Sequence, residues 1–588
     1  MYLNPFNIQS VYLLMHYPLE LFGKEVEDSL KEILSSMGYK ERINLEMPPS
    51  SDKGDYAFAC FPLSKILRLT PDEIAKKIAS EVKTREWIDK VIAERGYVNF
   101  FINREKLVAT TIEIIRKMDE SYGMLDKKNI KMIIEHTSAN PNGPLHVGRA
   151  RNPILGDTLV RLYKFAGYDV ETQFYVDDLG KQVAMLAWGI NNIDPKTLPE
   201  PSREKPDHVF VRFYQKTYQL MEEDDKVSDE IAKLVRECEL GHTEALELVK
   251  EAYEKVLEGI KQSLSRMDIH FDVFVPESKF VKDGSVEKVV EALKKSEYAD
   301  REDKAWYIDL KTFGVSGRNT KFFFTRSDGT TLYATRDIAY HLWKAEHADM
   351  LLNVLGEDHK LEAREVQIAL ELLNAKVIPK AVFYAFVTLP GGKMSTRRGR
   401  AVYLDDLMDE AVERAYAEVK KRREELPEDK IKNIAEIVGI GAVRYNIIKV
   451  QPEKEIVFKW EDALNFEGNS APFIQYAHAR ACSILRKEEA PEYAHTNLLS
   501  HEHEVRLVKI LARFPEVIGM ACNSNKPNLV ANYLFDLASQ FNQFYRDCPV
   551  LKAENSSLKK ARLALVDATR ITLRNGLSIL GIKAPEEM

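Results

Sequence analysis

The chain runs to 588 residues, enough for about three or four domains, and 45% hydrophobic with 30% charged residues is the make-up of a soluble globular protein. A formal net charge of −7 excludes a global positive field, so any polyanion site must be a local basic patch; no run approaches the ~20 apolar residues of a membrane helix, and the first residues lack the basic stretch and apolar core of a signal peptide. Five scattered cysteines (Cys60, Cys238, Cys482, Cys522, Cys548) form no Cys-x-x-Cys pair, which argues against a zinc ribbon or a disulfide framework and suits a reducing cytoplasm.

Residues 1 to about 125 read as a separate α/β module. Residues 25–38 and 71–83 are amphipathic helices, the second opened by Thr70 as cap and Pro71 at the first helical position. Residues 97–103 alternate as a strand, with Tyr97 and Asn99 on one face. An edge carrying a Tyr and an Asn would stack on and hydrogen-bond an unpaired base; the plainer alternative is the wet face of a sheet.

Residues 131–134 (KMII) are a short buried strand. Residues 152–167 form a helix, with Ile154, Leu155, Leu159, Leu162 and Phe165 on one side. Between them lies EHTSANPNGPLHVGR, residues 135–149. A strand, a small-residue loop and a helix N-terminus make a phosphate site, because the first helical N–H groups have no internal partner. Pro153 suits a first turn. His146 would supply a side-chain donor and Gly148 a bare backbone for a nucleotide; the alternative is an ordinary βα turn whose His caps the helix. Residues 169–176 alternate as the next strand and end in the polar turn 177–181. The βαβ unit predicts a parallel sheet with ligands at the strand C-termini.

Residues 190–325 interrupt this rhythm. Pro195, Pro199, Pro201 and Pro206 open a linker, residues 209–267 are helical and highly charged, and 306–310 and 321–325 are strand-like. A solvated helical insertion without catalytic signal is expected. The α/β pattern resumes at residue 327, with a helix to about 348, a strand at 350–355, a helix at 362–373 and a strand at 381–389. The loop PGGKMSTRRGR, residues 390–400, carries four cationic side chains and three glycines, a composition able to close on nucleotide phosphates. From residue 404 onward the chain is helical, with patterns at 404–423, 430–450, 471–486, 504–518, 528–545 and 558–580. Tyr476, Arg480, Arg444, Tyr533, Phe541, Phe544, Tyr545 and Arg546 mix aromatics with cations, the ingredients of a site for unpaired bases, although aromatics at helical spacing more often form core.

A His-x-Gly turn and a Lys-Met-Ser loop 247 residues later (393 − 146) together resemble the two signatures of class I aminoacyl-tRNA synthetases. EHTSANPNGPLHVGR, SDGTTLYATRDIAYHL, KMSTRRG, EGNSAPFIQYAHAR and the closing PEEM resemble arginyl-tRNA synthetases, over nearly the whole chain and most weakly in the insertion. The resemblance implies a Rossmann-type parallel-sheet catalytic core at 126–408 with its insertion at about 190–325. It further implies an N-terminal module at 1–125 that meets the tRNA elbow, and an all-helical anticodon-binding bundle at 409–588. It implies arginine, ATP with Mg2+ and the arginine tRNA as partners, a monomer, and no zinc or other protein-held metal.

By the same resemblance, His146, Arg149, Lys393 and Arg397 carry catalysis. Pro144, Gly148, Met394 and Ser395 join His146, Arg149 and Lys393 around ATP, and Glu135, Ser138, Asn140, Tyr333, Asp337 and Glu357 hold arginine. Tyr97, Asn99, Tyr476, Arg480, Phe544 and Tyr545 are the tRNA candidates. Tyr333 and Asp337 are i and i+4 on one helix, so they share a face, and a carboxylate there takes a guanidinium bidentately, as lysine's point charge cannot match.

Three positions depart from the family pattern. Arg149 replaces a second signature His, Thr396 replaces the second signature Lys, and Glu357 stands where many members carry Gln. Glu357 either strengthens guanidinium binding or belongs to a neighbouring salt bridge. Arg149 also motivates an alternative, a non-catalytic tRNA-binding relative. A small-molecule nucleotidyltransferase is a third reading, one that needs neither bundle nor insertion.

Overall fold

A computed structural model describes residues 17–39, 42–48, 51–317, 320–388 and 403–588. Lys393, Met394, Ser395, Thr396 and Arg397 lie outside the described residues, as does the start of the chain.

Four antiparallel strands, β1 (Leu45–Glu46), β2 (Tyr56–Ala59), β3 (Ile88–Glu94) and β4 (Tyr97–Ile102), form the N-terminal sheet in the order β1-β2-β4-β3. Helices Pro18–Ser36 and Pro71–Glu81 accompany it, the latter closed by a capping box between Thr70 and Glu73. β4 is an interior strand, not the edge considered for Tyr97 and Asn99. Arg95 and Gly96, both at positive φ, make a two-residue hairpin turn that folds β3 along its outer side.

The central sheet is parallel: β5 (Lys131–Glu135), β6 (Asp169–Val176), β7 (Val273–Pro276), β11 (Met350–Gly356) and β12 (Lys380–Tyr384), in the order β12-β11-β5-β6-β7. β8 (Ala299–Glu302), β9 (Ala305–Asp309) and β10 (Lys321–Phe323) form a small antiparallel sheet of their own. The span 190–325 is therefore not wholly an insertion, because β7 is the edge strand of the main sheet. Four residues ending in proline are too short to announce a strand by alternation, and an edge tolerates the missing N–H.

Nor is the helical part of that span a solvated appendage. It comprises helices Pro206–Glu223, Asp225–Glu239 and Thr243–Arg266. Leu246, Val249, Tyr253, Val256, Ile260 and Leu264, one face of the last helix, belong to the main hydrophobic core.

The strand expected over 381–389 breaks after Tyr384. Ala385 donates its N–H to Pro452 O at 2.9 Å, and its own carbonyl accepts from the buried Arg151 guanidinium at 2.7 Å. The chain then pairs again as β13 (Val387–Thr388), parallel to β14 (Ile456–Val457). Helix Arg151–Phe165 is buried nearly all round rather than along one stripe, because it lies between the central sheet and bundle helices Glu428–Ile448, Phe514–Ser524 and Ser556–Ile579. Helices Leu404–Arg422, Ala471–Lys487, Glu502–Ala512 and Asn528–Asp547 complete the bundle. The single helix expected over 504–518 is two, since Pro515 at the start of the second cannot continue the first. All five cysteines are buried free thiols. Among the described residues no helix is long and apolar enough to cross a membrane.

Candidate active site

The chain leaves β5 toward β6 on one side and returns at β11 on the other. Loops leaving the carboxyl ends of β5 and β11 therefore diverge and open a crevice. A cavity of about 320 Å3 lies there, and Glu135, Ser138, Asn140, Arg149, Tyr333 and Asp337 all line it. Asp177, His341, Asn353, Asp358 and His359 line it as well.

The backbone after β5 is turned by Thr137 and Ser138, both non-glycine residues at positive φ (71° and 38°). The turn lets Ser138 Oγ donate to Glu135 Oε1 at 3.0 Å while accepting the Tyr175 N–H at 3.2 Å. Asn152 ties this loop to the sheet: its Oδ1 accepts the Thr137 N–H at 2.8 Å and its Nδ2 donates to Val354 O at 3.1 Å. Asn140 and Asn142 both donate to Gln182 Oε1.

His146 does cap the turn Val147–Arg149, its Nδ1 accepting the Gly148 N–H at 3.2 Å. That bond does not compete with a phosphate role. With Nδ1 an acceptor, the neutral ring carries its proton on Nε2 as a donor. Burial and the neighbouring Arg149 both lower the His146 pKa, which keeps the ring neutral. Pro144 and Gly148 are buried in this turn, and Arg149 is exposed beside the cavity. The described residues on both sides of 389–402 rest on it. β13 packs against Val147–Arg149, and Tyr403 pairs with His146 while Leu404 N–H donates to Leu145 O at 2.8 Å.

Tyr333 opens helix Tyr333–His347, and Asp337 lies one turn on. Burial pushes the Asp337 carboxyl up, but the hydrogen bond from His341 and the charges of Lys344 and His359 outweigh it and hold it below the ordinary carboxylate range. Glu357 is not part of the cavity wall. It lies in the short turn Glu357–His359 after β11, 3.9 Å from Lys360 Nζ, while Asp358 and His359 face the cavity. Asp177 was within reach of sequence reasoning, since it ends β6 on the ligand side of a parallel sheet. His341 and Asn353 carry no local signal and need the packed geometry.

The tRNA candidates divide. Phe544 is fully buried core, as are Phe541 and Arg444, with Tyr533 nearly so. Asn99 is 6% exposed, and Tyr97 sits edge-on to Phe61 at 5.3 Å. Tyr476 and Tyr545 are exposed, and the Arg480 guanidinium lies 4.8 and 5.1 Å from their ring centres. They line a groove of about 1040 Å3 with Arg422, Arg486, Lys487, Arg546 and Lys552, a basic and aromatic surface on a net-acidic chain. Among the described residues one cluster has metal-ligand spacing, Asp207, His208 and Asp405. Lys205 Nζ already bridges its two carboxylates at 2.8 and 2.9 Å.

A parallel sheet opened at this switch point, with a His-capped turn over the crevice, is a Rossmann-type nucleotide-binding core, and its family match makes it the catalytic domain of a class I aminoacyl-tRNA synthetase. Residues 111–460 match the family model for tRNA synthetases class I (R), catalytic domain. Residues 23–102 match the arginyl tRNA synthetase N terminal domain and 474–588 the DALR anticodon binding domain. The chain belongs to the arginyl-tRNA synthetase family. It is 49% identical over 530 residues to the arginine–tRNA ligase of Methanocella arvoryzae, covering 90% of this chain and 92% of that one. It is 45% identical over 570 residues to that of Methanothermobacter thermautotrophicus, covering 96% and 99%. The Thermus thermophilus arginyl-tRNA synthetase structure superposes with a TM-score of 0.82 at 29% identity, covering 96% of this chain and all of the other.

Proposed function

We propose that the chain activates arginine with ATP and passes the arginyl group to the 3′ end of the arginine tRNA, releasing AMP and pyrophosphate. The observation that carries this reading is the convergence of Tyr333, Asp337 and Glu135 on one cavity beside the His146 turn. Asp337 takes the guanidinium, Tyr333 packs beside it, and Glu135, Ser138 and Asn140 hold the α-amino end. The first step is an in-line attack on the α-phosphate, so catalysis is positioning and charge stabilisation rather than base catalysis. His146 Nε2–H donates to the phosphates, and Arg149, in the place of a second His, is a further donor. Lys393 and Arg397 hold the leaving pyrophosphate, with Met394 and Ser395 beside the nucleotide. Magnesium arrives as part of the ATP substrate and keeps mostly phosphate and water oxygens.

In the same reading, residues 1–125 meet the tRNA elbow, 126–408 do the chemistry and 409–588 bind the anticodon. Support for the last comes from the Tyr476–Arg480–Tyr545 sandwich, which offers π faces and cations to unpaired bases. The working unit is a monomer in the cytoplasm without zinc, and its buried thiols suit a reducing compartment. A non-catalytic tRNA-binding relative would have no use for Tyr333 and Asp337 in the cavity.

A charging assay with total tRNA and each amino acid tests the reading. Arginine alone should be attached, and tight tRNA binding without attachment would select the non-catalytic alternative. Asp337→Ala should abolish arginine-dependent ATP–pyrophosphate exchange, measured with tRNA present, at an unchanged far-UV spectrum. Truncating one partner of a desolvated charge pair costs about 2–5 kcal/mol. Wild-type exchange in that variant would remove Asp337 from the site.

A further inference from the structure

Lys344 is fully buried beneath the cavity. Its ammonium has three hydrogens and meets three acceptors: Glu135 Oε2 at 2.7 Å, His341 Nε2 at 3.1 Å and Asn353 Oδ1 at 3.2 Å. The Tyr340 ring covers it at 4.1 Å.

This one lysine determines the proton positions around it, because an ammonium only donates. Asn353 must turn its carbonyl oxygen toward Lys344, since the flipped amide would set N–H against N–H. Its amide nitrogen then faces His341 Nε2 at 2.6 Å. Nε2 thus faces two donors and must itself accept. The ring proton therefore sits on Nδ1, which faces the Asp337 backbone oxygen at 2.8 Å and Asp337 Oδ1 at 3.1 Å. An imidazolium at His341 would press a second N–H against two donors.

We infer that Lys344, Asn353 and His341 form a buried polar chain that selects arginine by dividing the two cavity carboxylates. Glu135 shares its charge between Lys344 and the α-amino end of the substrate, whereas Asp337 is oriented by a neutral imidazole and keeps its charge for the guanidinium. His341 and Asn353 are positioning residues that act through Asp337. The inference rests on the arginine-activating reading above.

Two measurements test it. In long-range proton–nitrogen spectra of 15N-histidine-labelled full-length protein, the His341 signals are assigned by their loss in His341→Asn. They should show a protonated Nδ1 and a bare Nε2 at pH 7.5. Asn353→Asp, nearly isosteric, replaces the donor to Nε2 by an acceptor and should make His341 doubly protonated. A cation then already faces Asp337, and a competing charge at a desolvated pair is worth on the order of tenfold in binding. The KM for arginine should rise by about that factor, with a much smaller change in kcat.

His341→Asn retains a donor toward Asp337, whereas His341→Leu removes it, so arginine KM should stay closer to wild type in the first. An Nε2–H tautomer in the wild type, or an unchanged arginine KM in Asn353→Asp, overturns the inference. Failure of the underlying reading is distinguishable, because the wild type itself would then show no arginine-dependent exchange.

Discussion

Asp178 lies directly after the cavity residue Asp177 and points the other way, into protein. Its oxygens accept the Ser278 N–H at 2.8 Å and the Ser278 hydroxyl at 2.6 Å. Burial nevertheless raises its pKa from 3.8 to about 6. The sign follows directly. A carboxyl with a raised folded pKa is protonated in the fold but ionised in the unfolded chain between about pH 4 and 6. Stability therefore falls as pH rises through that window and does not return above it. The difference corresponds to about 3 kcal/mol. Asp178→Asn keeps an acceptor for the Ser278 N–H and carries no charge. The variant should match the wild type near pH 4 and exceed it by up to about 3 kcal/mol at pH 7.5, read from urea midpoints at the two pH values. A variant less stable than the wild type at pH 7.5 would show that the ionised Asp178 is well accommodated.

The elements that announce themselves in the sequence are those whose burial is one-sided or capped by local chemistry. Thr70 and Glu73 form the predicted cap, and the βα turn at His146 lies where its small residues place it. Legibility ends where tertiary neighbours decide. β7 is visible only as the partner of β6, and helix Thr243–Arg266 looks solvated until its apolar face meets the core. In the site, helical spacing puts Tyr333 and Asp337 on one face, and the family resemblance, not the spacing, turns that face toward a ligand; both line the cavity. Glu357 and Asp358 were not separable, because one residue of rotation in a short turn decides which side chain faces the cavity.

Helix Arg151–Phe165 carries the sharpest case of a tertiary decision. Asp157 on it is buried and accepts from Arg444 Nη2 at 2.5 Å and from Arg161 Nε at 2.8 Å. Arg444 also donates to Leu580 O at 2.9 Å and Met267 O at 2.7 Å. Asp157→Ala strands a fully buried guanidinium and should cost about 3–5 kcal/mol. Pairing Asp157→Leu with Arg444→Met removes both charges and should recover most of that loss in chemical denaturation. If the double variant is no more stable than Asp157→Ala, the loss does not come from a stranded Arg444 charge.

At the scale of the molecule, the N-terminal module, catalytic core and bundle share one apolar cluster rather than three. Phe514 is its junction. The ring is fully buried and lies 5.9 Å from Tyr122 near the end of the module, 6.2 Å from Phe165 of helix Arg151–Phe165, and 5.4 Å, stacked, from Tyr533 of the bundle. Gly123 passes so close that a Cβ there would come within 2.4 Å of the ring, and its φ of +94° also favours glycine. Polar contacts follow the same seam: Tyr122 Oη donates to Leu511 O at 2.7 Å, Lys509 pairs with Asp55, and Tyr56 donates to Glu516. A shared core of this kind makes the three parts one cooperative unit, because opening any one exposes apolar surface of the others.

Phe514→Ala therefore should act beyond its own helix. Truncating a fully buried Phe costs about 3–5 kcal/mol. Native-state hydrogen exchange should report faster opening together in helices Arg104–Met118, Arg151–Phe165 and Asn528–Asp547. Faster exchange confined to the bundle, with the first two helices at wild-type rates, would mean that the module and core close independently. The extent of joint opening bears on the proposed catalysis, because the helix carrying the His146 turn is one of the three and the end proposed to face the ATP phosphates is fixed only while its other faces are packed.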